Sequence, residues 1–228
     1  MNRIYRDISA QNRRAQQGSL SMPSGMNLIL ASAVVVVGCF FSAVQAGASD
    51  NPTEGGEDSA CIRSTCFPRR VVNFRRELSL YGLGHYRYFG FSVFSAALYS
   101  EDSQSLERGF LGSSPATLRL CYYRELDRED FIESGSVIIG KNPGADQVRI
   151  AASLERMNAL YEAVTPGDCY QINYSPINGI ELLLNGVSRG IISDGEFGRA
   201  YLGIWLSDYA FSSSLRESLL TPYVSRKS

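Results

Sequence analysis

The chain carries a single histidine, His85, and a single tryptophan, Trp205, in 228 residues. One histidine, with cysteines that lack zinc-site spacing, leaves no metal site to expect. Charge of either sign is not in excess: 22 Lys and Arg against 23 Asp and Glu give a net charge of −1. A domain built for nucleic acid would show a basic surplus, so no such partner is expected. No Gly-x-Ser-x-Gly elbow occurs, so the signature of an α/β-hydrolase nucleophile is missing. Gly82 and Gly84 do not make a nucleotide loop, because no helix start follows them. No internal repeat or paired-carboxylate constellation stands out, and Asp168 and Asp194 read as turn and cap residues.

Long apolar runs are scarce too. The longest, Leu28 to Phe41, falls short of the ~20 residues of a membrane-spanning helix. Arg3, Arg6, Arg13 and Arg14 precede it against a single Asp7. Residues 1–48 therefore read as a secretory signal or an N-terminal membrane anchor, with Val44-Gln45-Ala46 or Ala46-Gly47-Ala48 as a cleavage site. Val36-Val37-Gly38-Cys39 loosely matches a lipoprotein box, so lipidation at Cys39 is a further alternative. Each reading exports the protein, to the periplasm or elsewhere outside the cytoplasm. Any membrane contact then runs through this segment alone. Residues 49–66, rich in Gly, Ser, Asp and Glu, read as a flexible lead-in, and residues 67–224 are long enough for one domain with a real core.

Within that domain the pattern alternates strands and helices. Val71 to Leu80 has the period of a strand, with Val72, Phe74, Leu78 and Leu80 on one face. Gly82 and Gly84 suggest a tight reversal into Tyr86 to Phe89. Phe91 to Tyr99 is apolar on both faces, as a covered central strand would be. Residues 100–115 are polar, with a short helix hinted by Leu106, Phe110 and Leu111. Thr117 to Arg124 is the next strand. A helix starting at Asp127 follows, then a second near Asp146 with Ile150, Leu154, Met157 and Tyr161 at helical spacing. Strands at Cys169 to Tyr174, Ile180 to Leu184 and Arg189 to Ile192 come next, the last two joined by the hairpin signal Asn185-Gly186. Ser193 and Glu196 have capping-box spacing ahead of the stripe Phe197, Ala200, Tyr201, Ile204 and Trp205. On that stripe Trp205 reads as a core anchor. Ser214 and Glu217 suggest the cap of a last short helix. This order predicts an α+β fold, an antiparallel sheet with a helical layer on one face.

An even set of cysteines, Cys61, Cys66, Cys121 and Cys169, fits an oxidising compartment. Cys61 and Cys66 are near enough to close a small loop. Cys121 and Cys169 lie on two predicted strands, where they either face each other or stay as buried thiols.

The stretch Tyr81 to Tyr99 concentrates the chemistry. Arg87 stands between Tyr86 and Tyr88 and before Phe89 and Phe91, the composition of an anion clamp in an apolar pocket. The competing reading leaves Arg87 at the sheet edge, paired with Glu77 or Glu125. His85, with no base or metal partner in the sequence, reads as structural or exposed.

Several segments in order, GHYRYFGFSVFSAALY, LRLCYYREL, VTPGDCYQINYSP and NGVSRGIISDGEFGRAYLGIWLSDYAFSSSLRESLL, resemble the chalcone isomerase-like family, in its exported bacterial branch. They spread over most of Leu78 to Leu220. The resemblance implies a large antiparallel sheet, a helical layer and a ligand cleft between them, and no cofactor.

The plant enzymes of that family close a flavanone ring, using an arginine to hold an oxyanion and hydroxyl donors to polarise a carbonyl. Carried over, the arginine falls on Tyr86 or Arg87, the threonine near Phe94 and the helix tyrosine near Phe131, so two hydroxyls are lost. The resemblance also extends to non-catalytic members that bind fatty acids through an arginine and a tyrosine. There Arg87 would supply the charge, with Tyr86, Tyr88 or Tyr122 in place of the tyrosine missing at Phe94. The leading expectation is an exported, non-catalytic domain holding a small amphipathic acid. The alternatives are an isomerase with altered residues and a ligand-free structural module of the cell envelope.

Overall fold

The computed structural model describes residues 58–102, 106, 112–142 and 146–224. The signal, anchor and lipoprotein readings lie outside these residues, as does most of the polar segment after Ser100. Leu106 is helical and buried.

A small hairpin opens the fold, β1 (Ser59–Ile62) paired with β2 (Thr65–Pro68). Regular structure is thus present before the expected boundary at residue 67: a disulfide joins Cys61 to Cys66 across this hairpin, and Phe67 is fully buried.

Seven strands then form one antiparallel sheet in sequence order. They are β3 (Arg70–Asn73), β4 (Arg76–Tyr88), β5 (Phe91–Ser100), β6 (Ala116–Tyr122), β7 (Cys169–Ser175), β8 (Gly179–Leu184) and β9 (Val187–Ile192). The strand expected at Val71 to Leu80 is in fact two. Phe74 and Arg75 both take positive φ, 44° and 70°, the pattern of a type I′ hairpin turn. That break reverses the expected faces: Val71 and Asn73 are buried while Val72 is 65% exposed. Asn73 is held inside because its amide donates to the carbonyls of Ala116 and Tyr174 and to Thr117 Oγ1, tying the edge strand to β6 and β7.

The expected reversal at Gly82 and Gly84 is absent. Both lie inside β4, the longest strand, and the chain turns at Phe89 and Gly90, with φ of 46° and 85°. The glycines serve packing instead. A Cβ on Gly82 would meet the Leu219 carbonyl oxygen at 2.1 Å, and one on Gly84 the Leu215 Cδ1 at 2.5 Å. Their bare backbone lets the last helix lie directly on the strand.

Four helices are described. α1 (Arg128–Gly140) and α2 (Gln147–Leu160) are inserted between β6 and β7, and α3 (Gly195–Leu206) and α4 (Ser213–Leu219) follow β9. Asp127 and Asp146 start the first two, as their positions suggest. Asp194 caps the third helix, as its reading as a cap residue suggests, while the capping-box serine Ser193 and the expected cap Ser214 give way to neighbours. Asp194 rather than Ser193 accepts from the Phe197 amide, and Ser212 rather than Ser214 from that of Leu215. None of these helices is long and apolar enough to cross a membrane.

The helices cover one face of the sheet, and this makes the main core: Leu98, Leu118, Leu120, Ile172, Leu182 and Ile192 against Met157, Phe197, Leu202 and Leu206. The other face is covered near its middle by Phe67 of the β1–β2 hairpin, with Val71, Leu78, Ala97, Tyr99 and Cys121. There Cys121 and Cys169 stand directly opposite on β6 and β7 and form a second disulfide. The thiol alternative is thereby removed.

Candidate functional site

Strand alternation sorts the residues of the β4–β5 hairpin onto two sides. Tyr86 and Tyr88 pack against the helix-side core. His85 and Arg87, between and beside them, point the other way.

On the helix side, Tyr86 pairs with Phe94 and Phe94 with Tyr122 across the strands. Their rings meet at 5.3 Å and 5.8 Å, and Phe211, from the loop after α3, closes on Tyr86 at 4.9 Å edge to face. From α1, Phe131 lies stacked on Tyr161 at 5.0 Å and edge-on to Tyr122 and Tyr170. The result is an aromatic seam between sheet and helices, whose rings prefer these tilted and offset contacts. Its floor, Phe94, Tyr122, Tyr161, Tyr170 and Tyr201, is buried, and its rim, Tyr86, Tyr88, Phe131 and Phe211, is half-buried. Five of the six expected binding residues, Tyr86, Tyr88, Phe94, Tyr122 and Phe131, therefore lie in one neighbourhood.

Arg87 does not join them. It sits between two inward-facing tyrosines, so its own side chain is turned outward and exposed. Its Nε and Nη2 donate to the carbonyl of Gly90, at 3.1 and 2.6 Å, which clamps the hairpin turn. The expected pairing with Glu77 is not made either, since Glu77 bonds Arg70.

The phenols of the seam are poor acids. Burial pushes Tyr122 and Tyr201 well above the ordinary phenol value, and Tyr161 in the same direction. The hydroxyls of Tyr161 and Tyr201 meet each other at 2.5 Å, and Tyr170 Oη donates to the Glu162 carbonyl. These groups are neutral hydrogen-bonding groups at ordinary pH. Trp205 continues the seam from α3, with its ring 6.0 Å from Tyr201, and is half-buried against the core as its stripe suggests.

The outer side holds a different arrangement. His85 lies on β4 rather than in a turn. Its Nδ1 meets Ser95 Oγ at 3.0 Å and its Nε2 meets Ser92 Oγ at 3.0 Å. Ser95 continues to Tyr123 Oη, and that to Thr65 Oγ1, both at 2.8 Å. Burial, then the nearby Arg63 and Arg87 charges, hold the imidazole below its usual value. A neutral histidine in a chain of hydroxyls that stitches β2, β4 and β5 together is a structural element. Asp168 is likewise a turn residue, accepting from the Thr165 amide and hydroxyl and from the Asn185 amide.

One residue that sequence reasoning passed over belongs to the helix side. Arg124 lies two positions past Tyr122, in the bend that follows β6. Its guanidinium carbon lies 5.6 Å from the centre of the Phe91 ring, and Phe91 pairs with Tyr88. Its Nε and Nη1 are buried, with no hydrogen-bond partner among the described residues. No local signal marks it, because it lies in a bend past the last residue of β6.

The profile of the chalcone isomerase-like family matches residues 61–221. The chain belongs to the chalcone isomerase-like family. Among solved structures it is similar to a fatty-acid-binding protein of Arabidopsis thaliana, with 17% sequence identity and a TM-score of 0.56, over 71% of this chain and 95% of that one. At that identity the likeness is one of fold, and it agrees with the family sheet and helical layer described above. No curated protein gives a significant sequence match.

Proposed function

We propose that this chalcone isomerase-like domain is a non-catalytic binding protein for a small amphipathic acid, such as a fatty acid. The ligand's chain would run along the seam between sheet and helices, against Tyr86, Tyr88, Phe94, Tyr122 and Phe131. The observation that carries the reading is the company of Phe94 and Phe131. Both stand where the resemblance to the plant enzymes places a hydroxyl, and both are packed among aromatic rings. A wall of that kind suits an alkyl chain through its apolar area, and neither phenylalanine offers a donor for polarising a carbonyl. The fold shared with a fatty-acid-binding protein supports the same class of ligand.

Export is part of the proposal. Two disulfides, Cys61–Cys66 and Cys121–Cys169, are what an oxidising compartment such as the periplasm favours.

Native mass spectrometry of gently purified protein tests the reading. The expected result is a copurifying species whose mass matches a single-chain carboxylic acid, and a rise in melting temperature when a fatty-acid series is added. Bare protein that shows no shift with any member of the series refutes it.

A further inference from the structure

One guanidinium beside the seam has buried donors without a partner among the described residues. Taking a guanidinium out of water costs free energy unless its donors are met, and native proteins rarely leave buried donors unpaired. Arg124 has two buried donors, Nε and Nη1, without a partner among the described residues. Its present contact is the face of Phe91, a cation–π interaction that restores only part of the lost hydration.

The position is as telling as the deficit. Arg124 stands past the end of β6, where the Tyr123 amide still bonds the Val93 carbonyl at 2.9 Å. It therefore sits beside the irregularity at the top of β5, where the β4–β5 register slips between Tyr86 and Arg87. The Phe91 ring lies against it, 44% exposed, and Phe91 pairs in turn with the half-buried Tyr88. Below it on the same side come Tyr122 and Phe94. A ligand whose tail lies on those rings would present its polar end here, at the open end of the aromatic wall.

We infer that Arg124 binds the carboxylate of a single-chain amphipathic acid at the mouth of the aromatic seam, while Arg87 takes no part. The inference rests on the binding role proposed above and names the group that selects an acid over a neutral lipid. A carboxylate supplies what the guanidinium lacks: opposite charge, and oxygens that accept from its N–H groups. A neutral ligand of the same length would bury the same apolar area and leave the donors unmet.

The test compares palmitate with hexadecanol, which share a chain and differ in the head group. Delipidated full-length protein is titrated with each, following the fluorescence of Trp205. Wild type is expected to prefer the acid by about tenfold or more, the worth of a charge-assisted hydrogen bond. Arg124→Gln is expected to bind the two equally, Arg124→Lys to recover part of the preference, and Arg87→Gln to match wild type. Urea midpoints of all variants report whether each is folded. Should Arg124→Gln fail to fold, Arg124→Lys and the wild-type acid-to-alcohol ratio carry the test. Retained preference in a folded Arg124→Gln, or its loss in Arg87→Gln, overturns the inference. Equal wild-type binding of acid and alcohol also overturns it and leaves the apolar seam as a lipid site. Binding of neither ligand removes the proposed function and the inference with it.

Discussion

The two disulfides close loops of very different length, and stability should register the difference. Cys61 and Cys66 are separated by 5 positions, Cys121 and Cys169 by 48. On the chain-entropy account, a crosslink destabilises the unfolded state by removing loop conformations, and the effect grows with the logarithm of loop length. At 25 °C it comes to about 2 kcal/mol for the short loop and about 4 kcal/mol for the long one. Packing acts in the same direction. Cys121 is buried beside Phe67 and Tyr99 on the outer face, while Cys61 and Cys66 are exposed. The assay is urea unfolding of three variants without reductant: Cys61→Ala/Cys66→Ala, Cys121→Ala/Cys169→Ala, and all four together. Losses of about 2, 4 and 6 kcal/mol are expected, the last enough to unfold a domain at the low end of the usual range of about 5–15 kcal/mol. Equal losses for the two pairs, or a larger loss for the short loop, would refute the reasoning. Either would mean that native packing, and not the unfolded chain, sets what each crosslink contributes.

Two further outcomes follow from local geometry. Gly82→Ala places a methyl against the backbone of α4, so about 1–3 kcal/mol of stability should be lost as the helix shifts; a change under about 0.5 kcal/mol would show that α4 does not rest on that strand as described. The Asp168 carboxyl is held below its usual range by the Thr165 amide first, then by the Asn185 amide and the Thr165 hydroxyl. A lowered folded-state value contributes stability that is complete above the unfolded value of about 3.9 and is lost as pH falls through the folded one. The gap in urea midpoint between wild type and Asp168→Ala should therefore be open at neutral pH and close in strong acid; a gap that stays constant with pH would deny the carboxylate that role.

Much of the fold was legible because its signals are local. Asn185-Gly186 turns where it should, with positive φ at both residues. The aspartates at 127 and 146 cap helices whose apolar stripes then meet the sheet. Other turns were hidden for a physical reason. Phe74, Arg75 and Phe89 seldom adopt a left-handed backbone, yet the hairpins they close are held by pairing along β3, β4 and β5. Gly82 and Gly84 look like a reversal when only the chain is considered. They prove to be contact points for a helix that begins at Ser213.

The candidate site divides the same way. Its aromatic members were visible as residue types, and Phe94 and Phe131 could be set against the hydroxyls of the family's enzymes. The arginine that the sequence singles out, Arg87, faces away from that aromatic seam. Arg87 and Arg124 are both arginines set among aromatics near strand ends, and composition treats them alike.

The sequence by itself determined the α+β class, the order of most strands and helices, the apolar stripes and the family, because these depend on period, capping and motif order within short windows. Only the tertiary structure decided which arginine faces the helices. The register shift between Leu80 and Gly82 changes the phase of β4, so that Leu78, Leu80 and Leu83 line the outer face while Tyr86 and Tyr88 turn inward and Arg87 out. Pairing of β5 with β6 placed Tyr122 on the aromatic seam, and Arg124 lies beyond it under Phe91 with two donors unmet among the described residues. Which side a residue faces depends on register across strands far apart in the chain, and no local window holds that information.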